Sequence, residues 1–305
     1  MFANYLRLNA TSLTNVVVLR TFLILDHMPM TPYFRSFVVF CLCFATSASL
    51  LAQLPTNYVR QQEELPCLNK RFGLRIHIAE DQNGPVPFDT AAFLQMVETA
   101  NSFFEPICVS FEACEFLSVE NYRYSSIDDN DGNEQVSIYG DPNRIDLFVP
   151  AFDSVFTCTS ATPNGETPRE GILDNPRRYV AIYNSCILPM STTLAHQLGH
   201  FFGLLHTFDI TNGLELVDGS NCETAGDGIC DTPADPFVIF SNIPIISPDD
   251  PCRIIFRPTD PNGQFYTPNT ANVMSLYPMA CHCGFTFDQL ELMASNCAQV
   301  EGRIY

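Results

Sequence analysis

Three of the six histidines in this 305-residue chain fall in one short stretch, Leu194-Ala-His196-Gln-Leu-Gly-His200-Phe-Phe-Gly203-Leu-Leu-His206, and their spacing restricts what that segment can be. His196 and His200 are four residues apart, so on an α-helix both rings leave the same face on successive turns. Leu194, Leu198, Phe201 and Phe202 supply a buried face for the helix, and Ser191 is a candidate N-cap. Gly203 can take a positive φ and end the helix, which turns the chain so that His206 comes back toward the other two. Three neutral imidazoles gathered in this way make an open zinc site, with one coordination position left for water or a ligand. Three histidines satisfied separately in a core are the alternative; their grouping around one glycine favours the metal.

Composition narrows the setting of such a site. With 15 Lys+Arg against 34 Asp+Glu the chain carries a formal net charge of −19, a surface that repels phosphate backbones, so no nucleic-acid partner is expected. Hydrophobic residues at 46% exclude an intrinsically disordered chain. Near the N-terminus, basic Arg35 is followed by the apolar run Phe37 to Ala45 and by small residues through Ala52, the pattern of a secretory signal peptide. The run is too short to span a bilayer, so no stable membrane anchor is expected. Residues 1–52 therefore read as an N-terminal extension and signal peptide, 53–70 as a leader, and 71–305 as one domain. Cleavage near Ala52 would remove Cys41 and Cys43 of the 13 cysteines. The odd number that remains reads, in an extracellular compartment, as disulfides plus one spare thiol.

Within the domain, Phe72 to Ile78 alternates like a strand, and Asp89 to Phe103 has helical spacing behind an Asp N-cap. Ile107 to Phe111, Ile145 to Val149 and Tyr179 to Tyr183 are further strand candidates. The acidic run Asp128 to Glu134 has its glycine too early for an EF-hand and reads as a solvated hairpin turn. His77, inside a strand pattern, reads as a structural residue. Beyond His206 the chain is rich in Pro, Gly, Asp and Cys until Thr286-Phe-Asp-Gln289, a capping box that starts a last helix.

The histidine stretch and the segments beyond it resemble the pappalysin family of metzincin metallopeptidases, whose signature is H-E-x-x-H-x-x-G-x-x-H with a methionine turn further along the chain. The likeness continues through His206-Thr-Phe208, Asn221-Cys222, Gly226-Asp-Gly-Ile-Cys230-Asp-Thr-Pro233, Asn272-Val-Met274-Ser and Cys281, and spans roughly residues 72–297. It implies an α+β, metzincin-like zincin fold: a twisted mixed sheet plus helices above a cleft, to residue 206, and a loop-rich, disulfide-stabilised lower subdomain, 207–305. It also implies zinc on His196, His200 and His206, an extended polypeptide in the cleft paired with an edge strand, Met274 as a floor beneath the metal, and Cys230 and the cysteines around Cys281 in disulfides. Some relatives bind calcium near the loop that here carries Glu215, Asp218, Glu223, Asp227, Asp231 and Asp235, so calcium is a second candidate cofactor; a solvated loop is the default reading.

Two positions depart from the family. Its catalytic glutamate, which takes a proton from the attacking water and passes it to the leaving amine, is replaced by Gln197, a near-isostere without a basic oxygen. The tyrosine that the family often places two residues after the turn methionine is replaced by Leu276, with Tyr277 one residue further on. These departures lead to the expectation of a secreted zinc-binding metallopeptidase homologue that acts on or binds extended polypeptides, with proteolysis impaired. An active zinc metalloendopeptidase is the alternative, and an extracellular module merely stiffened by zinc a third class.

Overall fold

Strand β1, Lys70–Ala79, carries buried side chains on both faces, as only a central strand can. In the computed structural model, which describes residues 64–125, 129–151, 179–237 and 246–299, it sits inside a four-stranded sheet of order β2-β1-β3-β4. The other strands are β2 (Val109–Val119), β3 (Ile145–Val149) and β4 (Tyr179–Ala181). All three pairings are parallel. Helix α1, Thr90–Phe104, makes the crossover that parallel pairing of β1 and β2 requires. A mixed sheet was expected; no antiparallel strand joins this one among the described residues. The signal region, the first part of the leader and Cys158 lie outside the described residues.

One face of the sheet builds the main core. Phe72, Leu74 and Ile76 of β1 pack with Phe93, Met96 and Phe104 of α1, and with buried residues of α3 (Thr193–Phe201) and α4 (Phe287–Gln299). Asp89 begins α1 as the sequence suggests, its Oδ1 accepting the Ala92 amide at 2.9 Å. Both halves of the capping box at α4 form: Gln289 N donates to Thr286 Oγ1 at 3.3 Å and Thr286 N to Gln289 Oε1 at 2.9 Å.

The opposite face corrects one expectation. The segment read as a hairpin turn enters a helix, α2, Asp129–Tyr139. Its C-terminal turns lay Val136 and Tyr139 over Phe148, Tyr179 and Ala181 of the sheet, and this burial outweighs a composition that is poor for a helix. His77 on this face is structural, with Nε2 2.8 Å from Asp146 Oδ1 and its ring stacked on Phe148.

Disulfides join Cys67 to Cys108, Cys222 to Cys230 and Cys252 to Cys281, and Cys186 is also disulfide-bonded. The expectation of a single spare thiol is corrected: Cys114, Cys283 and Cys297 are all free. Cys297 is packed in the core face of α4 and Cys114 lies at the β-bulge where the β1–β2 register shifts, so packing and strand geometry, rather than pairing, fix both. From Leu204 to α4 the described chain is turns, isolated bridges and one short 3-10 helix, Met279–Cys281, the loop-rich texture expected of the second half.

Candidate metal centre

Every residue of α3 is buried, so the helix presents its histidines to the protein interior. His196 Nδ1 lies 2.7 Å from the Val273 carbonyl oxygen and His200 Nδ1 2.8 Å from that of Leu204. A carbonyl oxygen only accepts, so each Nδ1 carries the ring proton and each Nε2 is left with a bare lone pair. Gly203 then adopts φ 99°, as its position after the helix requires. Its amide donates to His200 O and that of Leu204 to Gly199 O, both at 2.9 Å, and the chain returns with His206.

The three Nε2 atoms form a nearly equilateral triangle. Its edges are 3.1 Å (His196–His206), 3.1 Å (His196–His200) and 3.0 Å (His200–His206). Two proton-free nitrogens this close repel each other, and a cation among them turns the repulsion into attraction. In tetrahedral zinc, bonds of about 2.0–2.1 Å place neighbouring nitrogens about 3.3 Å apart, so the donor set fits that ion. No other group of three His, Cys, Asp or Glu side chains among the described residues brings its ligand atoms so close together.

The floor is built by the methionine turn. Met274, fully buried, presses its sulfur against α3 at Gly199, where a Cβ would lie 2.5 Å from Met274 Sδ. Its backbone is fixed by Asn272, whose Oδ1 accepts Met274 N at 2.8 Å and whose Nδ2 donates to Gln289 Oε1 at 2.9 Å. The capping box of α4 thus also anchors the turn. At the other end, Ser191 is not the N-cap; Thr192 occupies that position, and its hydroxyl is bonded to His282 Nδ1 at 2.8 Å. His282 Nε2 lies 3.4 Å from Ser275 Oγ, and burial pushes the ring's pKa down to about 4, so it is a neutral pin between the helix start and the turn.

Residues 159–298 match a family model described as pregnancy-associated plasma protein-A, of the M43 peptidases. That stretch holds His196, His200, His206 and Met274 and is similar to the pappalysin family of metallopeptidases. A promirolysin mutant from Tannerella forsythia has a similar structure, with a TM-score of 0.51 and 16% identity, covering 79% of this chain and 84% of that one. That likeness shows the metzincin fold. Metalloproteinase-II from Bacteroides fragilis aligns at TM-score 0.31 and 12% identity, over 46% of this chain and 44% of its own. No curated protein matches the chain.

Gln197 and Leu276 are the two positions that depart from the family pattern. Gln197, the residue after His196 on α3, is buried. Leu276 is half-buried, while Tyr277 is fully buried and donates its hydroxyl to Asp235 Oδ1 at 3.0 Å. The acidic loop gathers no three carboxylates among the described residues and so does not support calcium; Asp218 and Glu223 are exposed, as a solvated loop requires, whereas Glu215, Asp227 and Asp235 are buried. Asp227 accepts from the Thr232 hydroxyl and the Ile229 amide, Asp231 Oδ2 accepts Asp288 N at the start of α4, and Asp235 accepts from Thr207, Phe237 and Tyr277. Glu215 lies buried under Gly226, which holds φ 61° and whose Cβ would sit 2.5 Å from Glu215 Oε2. Burial, then the charges of Asp227 and Asp235, push Glu215 up to about 8. Burial raises Asp227 to about 7 and Asp235 to about 6, against the lowering effect of their donors.

Proposed function

We propose that this chain is a secreted zinc protein of pappalysin type that holds extended polypeptides and cleaves them slowly or not at all. The observation that carries the reading is the combination of three converging imidazole nitrogens, those of His196 and His200 left proton-free by their Nδ1 bonds, with a buried carboxamide at Gln197. Zinc bound to His196, His200 and His206 supplies a Lewis acid that polarises a peptide carbonyl. Gln197 offers an amide of the same shape as the family's glutamate, which can donate or accept one hydrogen bond but holds no proton in transit near neutral pH. A missing general base lowers rates by about 10²–10⁴. Leu276 offers no hydroxyl to a developing oxyanion, and the Tyr277 hydroxyl is already bonded to Asp235. Losing such a donor costs a further factor of about 10²–10³.

The secreted location rests on the N-terminal pattern and the disulfides, and a polypeptide ligand on the family relationship. Neither nucleic acid nor a stable membrane anchor has a place in this reading. No helix among the described residues is long and apolar enough to cross a membrane. Similarity to a peptidase family favours a second reading, a working zinc metalloendopeptidase. Peptide cleavage by the native chain, a Gln197→Glu variant and a Gln197→Glu/Leu276→Tyr variant separates the two. Cleavage that emerges only on restoration supports the first reading, whereas equal cleavage by the native chain establishes the second.

A further inference from the structure

His206 is held differently from its two partners. His196 and His200 are set by helix geometry and by backbone carbonyls on their Nδ1 atoms, whereas His206 lies beyond Gly203 on a turn. The two residues that follow it, Thr207 and Phe208, each begin a route toward a single carboxylate. Thr207, the next residue, is buried and donates its hydroxyl to Asp235 Oδ2 at 2.9 Å. Asp235 Oδ1 accepts from Tyr277 OH and from Phe237 N, each at 3.0 Å. A second, apolar connection runs in parallel. His206 stacks on Phe208 at 4.6 Å and 12°, Phe208 packs on Phe237 at 5.3 Å, and Phe237 on Tyr277 at 5.4 Å. Both routes start at the third histidine and end at the residue three past the turn methionine.

We infer that Asp235 is a positioning residue for the metal centre: through Thr207 and Tyr277 it ties the His206 turn to the methionine turn and sets His206 Nε2 at ligating distance. The inference rests on the zinc reading above. A carboxylate shut away from water and given three donors forms charge-assisted hydrogen bonds, which hold geometry better than neutral ones. The direct backbone link between the two turns is long by comparison, Thr207 N to Met274 O at 3.3 Å, so the side-chain latch carries more of the alignment. It also gives Tyr277 a role: its hydroxyl closes this latch.

The test measures zinc affinity by chelator competition, and the visible absorption of the cobalt-substituted protein, for the native chain and for Asp235→Asn, Thr207→Val, Tyr277→Phe and His206→Ala. Loss of supporting hydrogen bonds around a metal site weakens binding about 10–100-fold. Asp235→Asn and Thr207→Val are expected to fall in that range, Tyr277→Phe to shift in the same direction by less, and all three to alter the cobalt spectrum. A double Asp235→Asn/Thr207→Val variant should lose little more than either alone. If Asp235→Asn does not fold, Thr207→Val, which removes one hydroxyl at nearly constant shape, decides. Native affinity and an unchanged cobalt spectrum in these variants, with His206→Ala impaired, would overturn the inference alone. Failure of the native chain to bind zinc would overturn the metal reading and this inference with it.

Discussion

Gly199→Ala is the sharpest probe of the contact between the methionine turn and the histidine helix. In an isolated helix the change would stabilise by about 1 kcal/mol, because glycine loses more backbone entropy on folding. Here the added methyl would lie 2.5 Å from Met274 Sδ, 3.3 Å from Phe285 Cε1 and 3.4 Å from Met274 Cε. Ordinary contacts of this kind are about 3.5–4.0 Å, so the sulfur must retreat by about 1 Å. Met274 is fully buried and has no solvent to retreat into. Overpacking of this kind costs about 1–3 kcal/mol, and after the helical gain the net expectation is a loss of about 1 kcal/mol. For a domain of this size that lowers Tm by about 2–4 °C. The same substitution in a Met274→Ala background meets no sulfur, so its sign should reverse to a gain of about 0.5–1 kcal/mol. The assay is urea unfolding of the disulfide-intact, metal-free protein, so that metal linkage does not enter. If Gly199→Ala stabilises both backgrounds equally, the sulfur does not press on the helix and the floor assigned to Met274 is wrong.

Three further outcomes are expected. Glu215 is raised in the folded state from 4.5 to about 8, so between these values the native state retains a proton that the unfolded state has lost. Stability from this group is therefore full below the unfolded pKa and declines as pH rises toward 8. Glu215→Gln, which mimics the protonated form, should flatten the decline, and urea midpoints that fall equally with pH in both proteins would exclude Glu215 as its source. Asp89→Ala removes the N-cap bond of α1 and should cost about 1 kcal/mol by the same assay, with no change in zinc affinity. Gln197→Glu should leave zinc content unchanged while raising any peptide cleavage by about 10²–10⁴; a variant that loses zinc would show that the amide supports the ligands instead.

The parts legible in the sequence were those whose cause is local. The i, i+4 spacing of His196 and His200, the glycine at 203 and the Thr286–Gln289 box each fix a geometry within a few residues, and all recur in the structure. The parts that were not legible depend on partners far along the chain. Residues 128–134 have the composition of a solvated turn, yet the chain is helical over 129–139 because Val136 and Tyr139 find an apolar sheet face. Asp235 reads as one of several loop carboxylates until Thr207 and Tyr277, 28 and 42 residues away, converge on it. Cys283 and Cys297 count as members of a disulfide set until the fold leaves both as thiols.

The central claim is that three imidazoles grip one divalent ion beside an amide unable to accept a proton. X-ray absorption at the zinc edge of the purified native chain, with metal counted per chain, tests it most directly. One zinc per chain is predicted, with nitrogen or oxygen neighbours at about 2.0–2.1 Å and no sulfur shell, and the signal should be lost in His196→Ala. A sulfur shell near 2.3 Å, or a full complement of zinc in His196→Ala, would contradict it.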